Sequence, residues 1–409
     1  MGSRNGYGAR AGLAIAVAIA ASAAPIAAPA APQIYELVGI GFLPMNKEPA
    51  DPNASFAHDV NVVGGEVVVV GQSTTSIGAP PQAATGDFHA VRFTLSTGAL
   101  EDLGDLDSGG NTSAAYAINA SGVIVGRGDA VRDPGAVPPD LSDATHAARW
   151  TAPSAIEDIG LGSEFGVANA INDAGHAVGN TGPIEAQEGF LRTPGGAVTT
   201  LPNPAGGTQV FAEDLNAANR IVGRATVAGV ERALLWHGAT APLDLGDLDG
   251  DGGESAAFAI NAAGWIVGSS DDGGEQRAFQ RDPGTGVLEG LAHLAGGDFS
   301  RARDINASGV AVGSAWDPAA HAFHAVVWDS DGAIYDLHDL LTNGSGWVLE
   351  EALAISDTGY IAGQARNPSG RSEGFVLKPL PEPGAWPSLV CGLTLVAALG
   401  CRVRRRAAS

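Results

Sequence analysis

The chain has 409 residues, with 22 basic against 45 acidic side chains and a formal net charge of −23 at neutral pH. A protein this acidic repels nucleic acid and anionic lipid head groups, so nucleic acid is excluded as an expected partner. Its only cysteines, Cys391 and Cys401, lie close to the C-terminus. The residues before them therefore hold no disulfide and no cysteine-based zinc site, and they must fold by core packing alone.

Residues 1–31 begin with Arg4 and Arg10, continue with the apolar run AGLAIAVAIAASAA, and end in small residues. A basic segment, a short apolar helix and a small-residue cleavage site are typical, in this order, of a secretory signal peptide. A buried N-terminal helix is the alternative, and the flanking residues disfavour it. The sequence thus predicts an exported protein.

A repeat with an Asn-x-x-Gly turn occupies most of residues 33–378. Asparagine opens turns because it bonds its own backbone, and glycine closes them because it adopts positive φ without steric cost. The opening positions are Asn61, Asn119, Asn172, Asn216, Asn261 and Asn306, with Ser356 in the seventh copy. The closing glycines are Gly122, Gly175, Gly264, Gly309 and Gly359. The copies follow one another at about 45–58 residues, a period typical of propeller blades.

Each copy splits into four short runs that alternate in polarity or are rich in β-branched residues, as strands are. The seventh copy lacks its fourth run, and a run of the same kind, YELVGIGFL, stands at residues 35–43. This offset is expected of a ring in which the first strand of the chain completes the last sheet. We therefore predict an all-β fold, a seven-bladed β-propeller over residues 33–378 that is closed by its N-terminal strand. A parallel β-helix, which also repeats short strands, is the alternative.

An acidic loop follows the fourth run of one copy, in the sequence DLGDLDGDGGES. It supplies Asp247, Asp249, Asp251 and Glu254, and alternating carboxylates offer the oxygen ligands that suit calcium. The corresponding loop of an earlier copy supplies Asp105 and Asp107. Aspartate and glycine are also ordinary turn residues, which is the alternative explanation. Calcium is the only cofactor that the sequence suggests.

One position at the start of the third run accepts both signs of charge. It holds His89, His146, Glu188, Arg232, Arg277, His324 and Glu373. Such a position indicates an ion-paired or solvated strand edge rather than a metal ligand. The remaining histidines, among them His338, show no metal spacing, and the chain has no nucleophile elbow, no HExxH and no phosphate-binding loop. We therefore predict a protein without catalytic residues.

The loops between the second and third runs differ most in length, and residues 73–87 and 127–145 are the longest of them. Variable loops on a rigid scaffold usually carry binding. We expect any binding site at the end of the blades where these loops and the loops between blades lie.

Residues 379–409 carry a further pattern. Pro381, Glu382 and Pro383 end the preceding structure, because proline fixes φ and lacks an N–H. An uncharged apolar span follows at residues 386–401, and then come Arg402, Arg404, Arg405 and Arg406. The sequence predicts a short transmembrane span with its arginine end in the cytoplasm. A plain membrane anchor is one alternative, and a sortase signal is another, although Pro383 stands where that signal has threonine.

Two resemblances follow from these motifs. The repeated AINxxGxIVG with HAF-like and DLG runs resembles the HAF-repeat extracellular proteins of bacteria over nearly all of residues 35–378. The departures are Ser356 for asparagine and Asn219 for glycine. The order of Pro-Glu-Pro, apolar span and arginine tail resembles the PEP-CTERM sorting signal, which an exosortase processes in Gram-negative bacteria.

The resemblances imply a protein that is exported, anchored transiently in the inner membrane by its C-terminal span, and processed by an exosortase. They imply delivery to the cell surface or the extracellular matrix. We expect a non-catalytic binding or structural propeller that associates with extracellular polysaccharide. A secreted carbohydrate-active hydrolase or lyase on the same scaffold is the alternative.

Overall fold

The computed structural model describes residues 32–43, 53–74, 88–106, 112–133, 140–152, 155–159, 165–183 and 185–381. The chain divides into two units, Met1–Pro32 and Gln33–Ser409. The first unit contains the predicted signal peptide and, apart from Pro32, lies outside the described residues. Within the described ranges, the second unit consists of antiparallel strands and one short 3-10 helix, without an α-helix.

Twenty-eight strands form seven four-stranded sheets, and the described strands run in this order. The strands of the first three complete blades are β2 (Ser55–Val63), β3 (Glu66–Thr74), β4 (Phe88–Thr94), β5 (Ala99–Gly104), β6 (Ser113–Ile118), β7 (Ile124–Asp133), β8 (Asp140–Ala152), β9 (Ala155–Asp158), β10 (Gly166–Ile171), β11 (Ala177–Thr181), β12 (Glu188–Arg192) and β13 (Val198–Thr200). The next three comprise β14 (Gly207–Leu215), β15 (Arg220–Val227), β16 (Val230–His237), β17 (Leu243–Asp244), β18 (Ser255–Ile260), β19 (Ile266–Asp272), β20 (Glu275–Arg281), β21 (Leu288–Gly290), β22 (Ser300–Ile305), β23 (Ala311–Asp317), β24 (Ala322–Trp328) and β25 (Ile334–Asp336). The 3-10 helix η1 (Leu337–Leu340) leads to the last blade, β26 (Val348–Ile355), β27 (Ile361–Arg366), β28 (Ser372–Pro379) and β1 (Tyr35–Gly39).

The first strand of the chain closes the ring. β1 pairs with β28 in antiparallel register, with Tyr35 opposite Pro379 and Gly39 opposite Phe375. The first strand of every blade contacts the first strands of both neighbouring blades, including β2 with β26, so these inner strands surround an axis. The predicted seven-bladed propeller closed by its N-terminal strand is therefore confirmed, and the parallel β-helix is wrong.

Large aromatic side chains fill the spaces between blades. Trp150, Trp236 and Trp328 end the third strands of alternate blades and are completely buried. Their indole N–H groups donate to backbone carbonyl oxygens of the loops that leave the preceding blades, at 2.8–3.1 Å. These contacts satisfy the one polar atom of each ring while its apolar surface enters the core.

A β-bulge recurs in all seven inner strands, three residues before the aligned asparagine or serine. The bulged residues are His58, Tyr116, Asn169, Glu213, Phe258, Arg303 and Leu353. In each blade a fully buried alanine precedes the bulge and lies opposite a glycine of the second strand. These glycines are Gly71, Gly126, Gly179, Gly223, Gly268, Gly313 and Gly363. A Cβ on any of them would overlap the carbonyl oxygen of the residue before that alanine, so the glycine of the repeated IVG is required by close backbone approach.

The aligned asparagines connect neighbouring blades. In Asn261, Oδ1 accepts hydrogen bonds from the turn amides of Gly264 and Trp265, each at 3.0 Å. Its Nδ2 donates to the carbonyl oxygen of Asn306 in the next blade, also at 3.0 Å. The same inter-blade bond starts from Asn119, Asn172, Asn216 and Asn306. One side chain thus caps its own turn and joins the next blade.

The first blade differs from the prediction. Asn61 lies inside β2, and the turn that follows is formed by Gly64 and Gly65, both with positive φ. Asn61 still reaches the next blade, because its Nδ2 donates to the carbonyl oxygen of Ile118 at 2.9 Å. A repeat turn at Asn61 is therefore wrong, although the inter-blade bond is kept. In the fourth blade Asn219 adopts φ 55° where other copies have glycine, as asparagine can.

We predict that Gly223→Ala destabilises the protein by about 1–3 kcal/mol or more, because the new methyl group meets the carbonyl of Phe211 across the bulge. Gly195→Ala is the matched control, since Gly195 is exposed, has no positive φ and has no atom nearer than 4.0 Å to the added Cβ. Denaturant unfolding measures both variants. Equal stability of the two variants would contradict the role assigned to the repeated glycine.

Candidate functional site

The end of the blades predicted to bind ligands carries the loops between second and third strands and the loops between blades. One of its predicted loops is largely a strand pair. In residues 127–145, β7 and β8 pair in antiparallel register as far as Asp133 opposite Asp140, and positions 134–139 lie outside the described residues. The other long segment, 73–87, contributes its first residues to β3, and its positions 75–87 lie outside the described residues.

The charged position at the start of the third strands forms ion pairs with the fourth strands. The Nδ1 atoms of His89, His146 and His324 lie 2.6–2.9 Å from carboxylate oxygens of Asp102, Asp158 and Asp336, respectively. In the fourth blade, Arg232 takes the place of the histidine and pairs with Asp244 at 3.4 Å. In these four blades the side chain at this position pairs with an aspartate of the fourth strand, which is one of the two environments expected from the sequence. The repeated histidine of the third strand and the aspartate of the fourth strand thus form a pair within one blade, which we call the clasp.

The acidic loop between the fourth and fifth blades brings three of its four predicted residues together. One carboxylate oxygen from each of Asp247, Asp249 and Asp251 lies within 4.8 Å of the others. The negative charge of Asp249 raises the pKa of Asp251, so the two exposed groups interact. Glu254 is exposed and does not belong to this group.

Asp247 anchors that loop. Its side chain is 2% exposed, and Oδ2 accepts hydrogen bonds from Arg232 at 3.1 Å and from the Gly252 amide at 2.9 Å. Its Oδ1 is buried and has no hydrogen-bond partner. A cation bound at this loop would give this buried oxygen the partner that it lacks. Of the two aspartates predicted in the corresponding loop of an earlier copy, Asp105 is described and has an interaction partner, and Asp107 lies outside the described residues.

Three aspartates around the axis form a second cluster, which sequence reasoning missed. Asp59, Asp214 and Asp304 each stand two residues before the aligned asparagine, where the other four blades have alanine. In each, one oxygen accepts a hydrogen bond from the next residue of its own strand. The other oxygen accepts one from a backbone amide of the next blade, at 2.7–2.8 Å. A charged residue in a strand position that is elsewhere alanine is the signal that could have revealed them.

The axial carboxyl groups have pKa values above the usual range of aspartate. Burial raises the pKa of Asp214 to about 8, and the charges of Asp304 and Asp59 add to this effect. Burial likewise raises the pKa of Asp304 to about 7 and that of Asp59 to about 6, against the backbone hydrogen bonds that each accepts. These carboxyl groups therefore titrate closer to neutral pH than ordinary aspartates do.

Of the predicted sorting signal, only Pro381 is among the described residues, and Glu382, Pro383 and the four arginines lie outside them. Among the residues that the structure describes, none belongs to a helix long and apolar enough to span a bilayer.

No protein-family model matches the sequence, and no curated protein matches it. The chain is similar to a solved acylaminoacyl peptidase in complex with Z-Gly-Gly-Phe-chloromethyl ketone, at 9% identity and a TM-score of 0.50. That match covers 80% of this chain and 51% of the peptidase, so the chain spans about half of its length. It is also similar to the β-propeller domain of the Trilobed protease from Pyrococcus furiosus, at 10% identity and a TM-score of 0.49, over 80% of this chain and 98% of that domain. At such identities the likeness to the peptidase shows the propeller fold alone.

The axial aspartates predict a pH dependence. An unfolded aspartate has a pKa of about 3.9, and burial raises the pKa of Asp214 in the folded state to about 8. The folded state therefore binds more protons between these values, and Asp214 lowers stability as the pH rises through this window. Asp214→Ala, which installs the residue of the other blades, should gain stability relative to the unchanged protein from about pH 4 to about pH 8.

Asp102→Ala serves as a control of opposite sign. Burial would raise the pKa of Asp102, but hydrogen bonds from His89 and the Gly104 amide leave it below its usual value. The stability that Asp102 contributes is present above about pH 4 and is lost as the pH falls below it. Unfolding free energies measured across pH check both signs. A difference between Asp214→Ala and the unchanged protein that does not vary with pH would contradict the account.

Proposed function

We propose that the protein is exported to the surface or extracellular matrix of a Gram-negative bacterium, where its propeller is a non-catalytic binding scaffold for extracellular polysaccharide. The observation that carries the proposal is the use made of the repeated residues. The glycines admit the bulges, the asparagines join the blades, and the histidines pair with aspartates of their own blades. The repeated residues thereby serve the geometry of the blades, which leaves binding to the unrepeated loops at one end of the blades.

Export and processing form the second part of the proposal. The signal-peptide pattern of residues 1–31 supports secretion, and the order Pro381, Glu382, Pro383, apolar span and arginines supports transient anchoring and cleavage by an exosortase. Mass spectrometry of the protein isolated from its host tests this part. A mature C-terminus close to Pro381 is expected, and a chain that retains Arg402 and Arg404 would contradict it.

Calcium binding at Asp247, Asp249 and Asp251 belongs to the same proposal. The grouping of three carboxylates and the unpaired buried oxygen of Asp247 support it. A divalent ion in this loop would offer a site where acidic sugars can bind, because uronate carboxylates are hard oxygen ligands as well. The loop lies on the end of the blades where binding is expected.

A secreted carbohydrate-active enzyme is the second candidate function. The specific observation in its favour is the axial cluster, since glycosidases use carboxyl pairs with separated pKa values. Asp214 and Asp304 have raised pKa values of about 8 and about 7. Both carboxyl groups are nevertheless engaged by backbone amides of neighbouring blades, which supports a structural role.

One experiment separates the two candidates. The purified protein is incubated with acidic and neutral polysaccharides, with calcium or with EDTA, and both retention and new reducing ends are measured. We expect calcium-dependent retention on acidic polysaccharide without new reducing ends, and we expect Asp249→Asn to weaken retention while Glu254→Gln does not. Product formation that Asp214→Ala abolishes would favour the enzyme, and neither retention nor product would contradict both candidates.

A further inference from the structure

The sixth blade departs from the repeat at the end of its fourth strand. In the first and fourth blades the motif Asp-Leu-Gly stands at the end of this strand, and its glycines Gly104 and Gly246 have φ of 73° and 79°. Their backbone N–H groups donate to the aspartate two residues earlier. His338 replaces the glycine in the sixth blade and keeps that bond, with its N–H 2.8 Å from Asp336 Oδ1. The replacement therefore adds an imidazole beside the histidine–aspartate pair without changing the turn's hydrogen bond.

This imidazole joins a cluster that chain spacing does not reveal. Nδ1 of His324 lies 2.6 Å from Asp336 Oδ2, and Nδ1 of His338 lies 3.6 Å from Asp336 Oδ1. One ligand atom from each of the three residues lies within 4.8 Å of the others. Asp317 adds a carboxylate oxygen 3.8 Å from His324 Nδ1. The sequence analysis set His324 aside because its position accepts both signs of charge, and His338 because the chain shows no metal spacing around it. The fold of the blade nevertheless brings the two imidazoles together.

The surroundings of His338 orient its ring for coordination. Nε2 lies 2.9 Å from the carbonyl oxygen of Trp347, which can only accept, and 3.2 Å from the amide of Leu349. When Nε2 carries the ring hydrogen and donates it to the Trp347 carbonyl, which is the shorter of the two contacts, Nδ1 keeps a lone pair for a metal ion. That Nδ1 is buried and has no hydrogen-bond partner. Metal-binding histidines commonly donate their second ring N–H to a backbone carbonyl in this way.

We propose that His324, Asp336 and His338 bind a first-row transition-metal dication of the Zn²⁺ class. Two imidazole nitrogens and one carboxylate oxygen suit such an ion better than calcium, which prefers oxygen ligands only. In a tetrahedral site with bonds of about 2.0–2.1 Å, neighbouring ligand atoms are about 3.3 Å apart. At present Nδ1 of His324 lies 2.6 Å from Oδ2 of Asp336 and Nδ1 of His338 lies 3.6 Å from Oδ1, so each carboxylate oxygen faces one imidazole. Side-chain shifts are needed to bring one of these oxygens and both nitrogens to that spacing. Asp317 or a water completes the coordination.

The position of the cluster gives the ion a structural task. His338 belongs to η1, whose Leu337 and Leu340 are buried in the same core cluster as Tyr35 and Leu37 of β1. The chain then continues to Asn343, whose side chain accepts a hydrogen bond from the Leu37 amide and donates one to the Leu37 carbonyl, at 2.8 and 2.9 Å. A metal that fixes η1 to the sixth blade therefore steadies the segment that holds the closing strand.

The test uses the full-length chain without an affinity tag, stripped of metal by a chelator and titrated calorimetrically with Zn²⁺. One equivalent is expected to bind and to raise the melting temperature. His338→Gly, which installs the glycine that the first and fourth blades have at this position, should weaken Zn²⁺ binding at least about tenfold. His89→Gly is the matched control, because it removes a histidine from the clasp of another blade and leaves the three proposed ligands in place.

Two results would overturn the proposal. One is Zn²⁺ affinity in His338→Gly that equals that of the unchanged protein, and the other is an equal loss in His89→Gly. If His338→Gly does not fold without metal, the visible spectrum of the unchanged protein with Co²⁺ decides. Tetrahedral bands that disappear in His338→Gln support the site, and an octahedral spectrum like that of the aqueous ion refutes it.

Discussion

The pairing of β1 with β28 is the constraint on which the rest of the structure depends. Seven sheets that contact only their neighbours form an open row until the two end sheets meet, and open sheet edges invite aggregation. Here the last sheet receives its fourth strand from the other end of the chain, with Leu37 opposite Leu377 at the centre of the pair. Asn343, in the segment that follows the sixth blade, also hydrogen-bonds to the backbone of Leu37 in this strand. Closure thus joins residues more than 300 positions apart.

Within the closed ring, the repeated glycines and asparagines make their contacts at the inner strands. The bulge needs a glycine opposite, since the carbonyl of Phe211, for example, occupies the place of a Cβ on Gly223. The asparagine bonds from Asn119 onward run from one blade to the next towards Ser356. The asparagine contacts join neighbouring blades, whereas the bulge contact joins two strands of one blade. The ligand sites that we propose include residues that break the repeat, such as Asp249 and His338.

The sequence allowed the number of blades and the closing strand to be predicted, because the turn residues mark each period and the missing fourth run has only one place to come from. It did not reveal the bulges, since a two-residue periodicity describes a strand whether or not one residue is extra. The axial aspartates were missed because Asp59, Asp214 and Asp304 belong to three different blades and influence one another only in the folded ring. His338 was missed because the fold of the blade, and not chain spacing, brings it close to His324. Asn61 was misplaced because one blade uses a longer hairpin with Gly64 and Gly65 at its tip.

Deleting residues 33–43 tests the central claim most directly. This segment buries Tyr35, Leu37, Ile40 and Leu43, and each such side chain contributes about 1.5–3 kcal/mol when removed from water. The measurement is the unfolding free energy of the deleted chain with and without a synthetic peptide of the same eleven residues. We expect a loss of several kcal/mol that the added peptide partly restores. A deleted chain as stable as the intact one would show that the ring does not depend on its first strand.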